Sequence, residues 1–446
     1  HNSSAVEYDT IKQSLLEALV EPYMLPDARH VSEKEINNLE QLQLCLEQEI
    51  VNHPVLGRLH IRQKYVENLK NKPALVKQSI AEYVTVLGAT CQQAAGDKMV
   101  SVKSVEQSNS ISFDSVIIDE AARANPLDLM IPMAMARTRI VLVGDHKQLP
   151  HMLEPRVENE LQDKNEIEIA GRELLKQSLF ERLYLDLKKF EQQGGAKKRV
   201  VMLDTQFRMH PVLGDFHSKE FYESCGLPKV KAGLPAANFP LDVPGYKDVL
   251  AAWINVDQKQ GRRKSRNGSK YRQCEADIIS EEAEKILKSR PDLSVGIITF
   301  YAAQRDVIQE IMVQKGIMKK TFDEYGPVEG FDLLPNGDER FRVGSVDAFQ
   351  GKEFDVVLLS TVRHWKKSNS INADLANQQL GFLRIINRIN VAMSRQKRLL
   401  IVVGDDSLAD QELVNEIEFE DGVKQQILSG FNAFYQLCKG EYGSVC

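Results

Sequence analysis

The stretch FDSVIIDEAA, residues 113–122, decides how this chain is read. A short apolar run, SVII, ends abruptly in two carboxylates, Asp119 and Glu120. Runs of this kind form strands of a parallel sheet covered on both faces. A strand ending in acids puts them at the carboxyl edge of the sheet, where open α/β folds bind their ligands. Paired acids at such an edge suit phosphoryl transfer: one carboxylate for a Mg²⁺ shell, the other to orient a water. The same two acids would also sit well at a helix N-terminus.

Working outward, RIVLVGDHKQLP (139–150) repeats the pattern of apolar strand and polar turn, and its Gln148 suits a hydrogen bond to a γ-phosphate or to the attacking water. Further apolar runs are VTVLGAT (84–90) before these, and RVVMLDT (199–205), SVGIITF (294–300), DVVLLST (355–361) and RLLIVVGD (398–405) after them. Helical patterns alternate with them, which predicts a doubly wound parallel sheet in each of two halves. Residues 32–83 are charged and periodic, with Leu39, Leu42 and Leu46 at helical spacing, and predict a helical insertion in the first half. Residues 155–198 also look largely helical. The GGAKKR stretch at 194–199 is the natural linker, giving domains 1–198 and 199–446. Segments 226–248 and 318–341 read as long loops.

The chain has 446 residues, 43% apolar and 27% charged, in the range of a globular protein of two or three domains. No run approaches the ~20 apolar residues of a membrane span. HNSSAVEY at the start has no signal pattern. Its lack of an initiator Met leads to the expectation that the sequence begins inside a larger protein with further domains or subunits. Six scattered cysteines with no C-x-x-C pair argue against a zinc cluster and predict an intracellular, cytoplasmic or nuclear setting. The net charge of −6 does not advertise nucleic-acid binding, but such binding needs only a local basic channel. Basic clusters occur at 262–272 (RRKSRNGSKYR) and at Arg384, Arg388, Arg395, Lys397 and Arg398. The first suits a solvated loop equally well.

DEAA, GDHKQLP, LDTQFRMHP (203–211), VGSVDAFQGKEFDVVLLS (343–360) and NRINVAMSRQKRLLIVVGD (387–405) occur in the order of the motifs of superfamily 1 helicases, and the chain resembles the up-frameshift and senataxin-like branch. The resemblance covers nearly the whole chain. It implies two RecA-like domains in tandem, the first truncated at its N-terminus, that move 5′ to 3′ on single-stranded RNA or DNA with ATP and Mg²⁺ as cofactors. Asp119 would hold Mg²⁺ through water, Glu120 would be the general base, and Gln148 would couple the γ-phosphate to domain movement. Arg208 and Arg395 would be the two arginine fingers. Phe207, where the family usually has Tyr, would stack on adenine; a core Phe is the alternative. Gly351 would permit close backbone approach and Glu353 would meet the ribose or align the site, while Gln350 and Asp347 order their loop. For the nucleic acid, the resemblance assigns Thr90, Tyr301 with Gln304, and Arg363 with His364. Ser3 stands where the family has Asn, Phe300 and His151 where it has Pro.

No G-x-x-x-x-G-K-S/T phosphate loop occurs anywhere in the sequence. The family carries it just upstream of the motif that matches NSSAVE, so the expectation is that it precedes residue 1 and that the isolated chain is inactive. The rival reading is a helicase-fold module that has lost catalysis and binds nucleic acid or a protein partner.

Overall fold

The computed structural model describes residues 10–13, 33–53, 56–72, 84–96, 99, 113–149, 178–194, 197–322, 324–367, 373–414, 416–418, 424–426 and 429–446. Contacts group the chain into two compact units, His1–Phe113 and Asp114–Cys446.

The first unit holds the helices α1 (Glu33–Asn52) and α2 (Leu56–Asn71), within the stretch expected to be a helical insertion. Residues 84–90, read as a strand from sequence, carry none. Instead Thr90 caps a single helical turn, Cys91–Ala94, in a capping box with Gln93.

In the second unit, β1 (Phe113–Ile118), α3 (Pro126–Met133) and β2 (Ala136–Leu142) form a two-stranded βαβ pair. Asn125 caps α3 through its side chain and Pro126 occupies the first turn, where its missing N–H costs nothing. After α4 (Leu179–Gln192) the expected strand at 199–205 is reduced to Thr205–Gln206, paired in parallel with Lys231–Ala232. The physical reason lies in the neighbours: Val201 and Leu203 are 72% and 78% exposed, so the apolar run has no strand beside it.

The main sheet has six strands: β3 (Ala251–Asn255), β4 (Val295–Thr299), β5 (Phe341–Ser345), β6 (Phe354–Ser360), β7 (Gln396–Gly404) and β8 (Gly443–Val445). They lie in the order β5-β4-β6-β7-β3-β8, every pair parallel. This is the RecA-like architecture. The helices α5 (Pro211–Phe221), α6 (Gln273–Ser289), α7 (Ala302–Gln314), α8 (Ala373–Leu380), α9 (Ile386–Ala392) and α10 (Ser429–Cys438) accompany it. Alternate residues of β6 feed two cores. Val357 and Leu359 pack with Trp253, Phe431 and Phe434, whereas Val356 and Leu358 pack with Ile279, Ile286 and Ile308. Central strands buried on both faces explain why β4, β6 and β7 were legible as apolar runs.

The segments read as long loops carry small pieces of structure. Asp242–Val243 pairs antiparallel with Tyr246–Lys247, and Met318–Thr321 with Glu324–Pro327. The basic run at 262–272 contains a hairpin, Lys264–Arg266 against Ser269–Tyr271. Among the described residues no helix is long and apolar enough to cross a membrane.

Candidate active site

Asp119 and Glu120 follow β1 directly, and both are exposed. Asp119 Oδ1 accepts the Glu120 backbone N–H at 2.9 Å. Glu120 has φ of +52°, a conformation that costs a non-glycine residue roughly 1–3 kcal/mol and persists where surrounding structure imposes it. The imposing structure is the turn after β2. The Val143 N–H donates to Ile118 O and the Ala121 N–H donates to Val143 O, so the two turns are stitched together. Gly144 makes this possible, because a Cβ there would lie 2.9 Å from the Ala122 backbone nitrogen.

The GDHKQLP turn is fixed by residues far along the chain. Asn387 of α9 donates to Gln148 O at 2.7 Å, and Asn390 donates to Lys147 O at 2.8 Å. Asp145 accepts the Lys147 N–H and the Gln148 Nε2 amide, each at 2.9 Å. Gln148 Oε1 accepts from Arg395 Nη2 at 3.2 Å. The first-half glutamine and the second-half arginine, assigned to separate motifs, are therefore in direct contact.

Arg395 is 2% exposed, and its guanidinium also donates to Val391 O at 3.1 Å and Ser394 Oγ at 2.9 Å. Burial, followed by the neighbouring Arg208 charge, pushes its pKa down to about 10. It stays cationic at neutral pH, in a setting that would gain from an added anion. Arg208 donates to Glu353 Oε2 at 2.9 Å and to Ser394 O at 3.1 Å. Lys397 pairs with the other Glu353 oxygen at 2.9 Å. Burial works to raise the Glu353 pKa, but the hydrogen bonds from Lys397 and Arg208 outweigh it and hold the carboxyl below its usual range. Gln350 Nε2 donates to Glu120 Oε2 at 3.1 Å, while its Oε1 is buried with no partner. Gly351, at φ of +76°, makes the turn that carries Glu353 into β6. Asp347 accepts from Arg388 at 3.4 Å.

The site thus joins the carboxyl edge of β1 and β2 to the amino edge of β6 and β7. Phe207 is 65% exposed and is no core residue. Its ring lies against Gly233, where a Cβ would come within 2.3 Å of Cε1, so one face is backed by backbone. An exposed, backed aromatic ring suits an adenine. The residue types fit a magnesium nucleotide: two arginines and a lysine for phosphates, and a lone carboxylate of the kind Mg²⁺ uses together with phosphate oxygens and waters. Among the described residues no group of three or more metal-ligating side chains exists.

The residues expected to meet nucleic acid lie elsewhere. Tyr301 and Arg363 sit at the carboxyl edge of β4 and β6, buried and bonded to each other, Arg363 Nε to the Tyr301 hydroxyl at 2.6 Å. Arg363 also donates to Gln378 O at 3.0 Å and Gln379 O at 3.1 Å. Their polar atoms hold the end of α8, and half-buried His364 and exposed Lys366 stand beside them. Gln304 is fully buried, donating to Ser360 Oγ at 2.9 Å. Thr90 is exposed and belongs to the first unit, where its hydroxyl accepts the Gln93 N–H at 3.2 Å. Ser3 and His151 lie outside the described residues. Sequence reasoning placed Lys397 in a basic cluster without its Glu353 partner, and it missed Asn387, Asn390, Gly233 and Tyr222, whose hydroxyl donates to Asp145 Oδ2. The two asparagines alone had a signal, since their i, i+3 spacing puts both on one helix face.

Two family models, each described as an AAA domain, match residues 33–154 and 175–407. The chain belongs to this family, in the superfamily 1 helicase branch of Upf1 and Sen1. It is 31% identical to the ATP-dependent helicase NAM7 of Saccharomyces cerevisiae over 376 residues, 82% of this chain and 32% of that protein. It is 32% identical over 338 residues to the ATP-dependent helicase upf1 of Schizosaccharomyces pombe, covering 74% and 30%. Helicase sen1 of the same yeast is 27% identical over 348 residues, covering 77% and 17%. The chain spans a third or less of the length of each of these relatives.

Proposed function

We propose that this superfamily 1 chain is the motor core of an ATP-driven helicase or translocase that moves 5′ to 3′ on single-stranded RNA or DNA, with 1–198 and 199–446 as its two halves. The observation that carries the reading is the hydrogen bond from Arg395 to Gln148, which ties the sensor turn after β2 to the finger before β7. A helicase-fold protein kept only for binding has no physical need for that contact or for the acids beside it.

Bound Mg²⁺–ATP supplies the phosphoryl group and the metal's charge, with Asp119 the residue to hold the ion. Glu120, oriented by Gln350, takes the proton of the attacking water. Arg208 and Arg395 neutralise charge on the phosphates, an effect that arginine fingers deliver at roughly 10³–10⁵ in rate. Phe207 receives the base. Gln148, bonded to Arg395, reports the state of the γ-phosphate to α9 through Asn387. The strand lies across the rim at the carboxyl edge of β4 and β6, where Tyr301 and Arg363 order the surface beside His364 and Lys366. In the first unit, taken by itself, Thr90 is the residue to meet a phosphate.

The absence of a G-x-x-x-x-G-K-S/T loop supports one further point: the 446-residue chain by itself hydrolyses no ATP. It also favours the second reading, a catalytically incomplete module. Glu120→Gln in the full-length protein separates the two. The motor reading expects nucleic-acid-stimulated ATPase in the wild type and its loss in the variant. Full activity in the variant, or none in the wild type, overturns it.

A further inference from the structure

We propose that Tyr222 is a positioning residue for ATP hydrolysis: through Asp145 it sets which way the Gln148 carboxamide faces. This rests on the reading of the chain as an ATPase. Tyr222 is the residue that ends α5, lies in none of the helicase motifs and is separated from Asp145 by 77 positions.

Two hydrogen bonds converge on one carboxylate oxygen of Asp145. Asp145 Oδ2 accepts the Tyr222 hydroxyl at 2.5 Å and the Gln148 Nε2 amide at 2.9 Å. Burial, then the Asp145 charge and its hydrogen bond, raise the tyrosine pKa, so the phenol keeps its proton and stays a donor. A glutamine amide is nearly symmetric in shape, and only its hydrogen bonds distinguish its two ends. With Nε2 committed to Asp145, Oε1 faces Arg395 Nη2, which can only donate. If the amide turned over, its NH₂ would confront the guanidinium donors.

The backbone of this turn has holders of its own, although the Tyr222 hydroxyl also reaches the Asn390 and Gln148 amides. Asn387 and Asn390 grip the carbonyls of Gln148 and Lys147, and Asn390 Oδ1 is itself fixed by His217 Nε2 at 2.7 Å. The Tyr222 ring packs edge-on against His217 with centroids 5.4 Å apart. Removing only the hydroxyl leaves the ring packing, the Asn387 grip and the His217 bond to Asn390 in place. It frees the Asp145 carboxylate to rotate, and the Gln148 amide loses its bias.

The test is a double-mutant cycle on steady-state ATPase in the full-length protein with single-stranded nucleic acid. Tyr222→Phe lowers kcat by about tenfold, the scale of a charge-assisted hydrogen bond, and leaves KM for ATP within about twofold. In a Gln148→Ala background the same substitution has no further effect, because residues acting through one another are non-additive. Wild-type kcat in Tyr222→Phe overturns the proposal. So does an equal loss in both backgrounds, which marks a general role in stability and which a drop in melting temperature would accompany. A wild type with no stimulated ATPase overturns the functional reading itself, and this inference with it.

Discussion

Replacing Glu275 by Ala strikes the most deeply buried ion pair among the described residues of the second unit. Glu275 and Arg272 are 0% and 1% exposed and 2.8 Å apart. Glu275 also accepts the Ser360 hydroxyl and the Val362 backbone N–H, each at 2.8 Å. Burial raises its pKa despite Arg272 and these donors, so the pair is a costly one to hold in the core. Breaking such a pair by deleting one partner costs about 3–5 kcal/mol. Two effects decide where in that range this substitution falls. Arg272 keeps the carbonyls of Val256, Asp257 and Gly261, which lowers the loss. Orphaning the Val362 N–H raises it, because Val362 is β-branched, fully buried and at φ of +66°, a conformation held in part by that hydrogen bond. We expect about 4 kcal/mol. With a urea m-value of about 2.5 kcal/mol/M, the midpoint falls by about 1.6 M. Tryptophan fluorescence reads this directly, since both tryptophans, Trp253 and Trp365, lie in the core of the main sheet. Glu275→Gln, which keeps an acceptor for Val362, costs no more than about half as much. A midpoint shift below about 0.4 M for the alanine variant would refute the reasoning.

Other consequences are as direct. Gly233→Val puts a side chain into the Phe207 ring, 2.3 Å from Cε1 at the first added carbon, and displaces the platform; KM for ATP should rise about fivefold while melting temperature holds, and an unchanged KM would separate Phe207 from the base. Glu120→Gln should cut kcat by about 10²–10⁴, the scale of a lost general base, without weakening nucleotide binding measured by fluorescence titration. His217 is fully buried, and burial pushes its pKa from an ordinary 6.5 down to about 4. The unfolded imidazole takes up a proton near 6.5 and the folded one holds out to about 4, so the unfolded state binds more protons between them. Stability from this group is complete above 6.5 and falls by about 3 kcal/mol as pH drops through that window. His217→Gln should flatten that part of a urea-midpoint-against-pH curve, and an unaltered slope would assign the acid loss to other groups.

Periodicity and edge chemistry in the sequence by themselves determined the class of fold and the chemical pieces. Strands β4, β6 and β7 are apolar because both their faces are covered, a condition visible residue by residue. Asp119 and Glu120 stand out as acids at a strand edge and Gln148 as the polar turn after a second apolar run, whereas Arg208 and Arg395 stand out only through the family resemblance of their motifs. Apolarity does not report whether a partner strand is present, so 84–90 and 199–204 read as strands and are none. Nor does it reveal an edge or short strand such as β5 or β8, where pairing rather than composition makes the structure.

What only the tertiary structure decided is which groups meet. Tyr301 and Arg363 fit the motif of a strand-binding rim, yet the fold buries them against each other, because a guanidinium placed beside a phenol and free helix-end carbonyls is satisfied there. Tyr222 is unremarkable in sequence, and the i, i+3 spacing of Asn387 and Asn390 does not say what they grip; all three become important only because the turn after β2 lies within hydrogen-bond reach of α5 and α9. A hydrogen bond needs its two atoms within about 3 Å, and separations of 77 to 247 positions along the chain carry no trace of that distance.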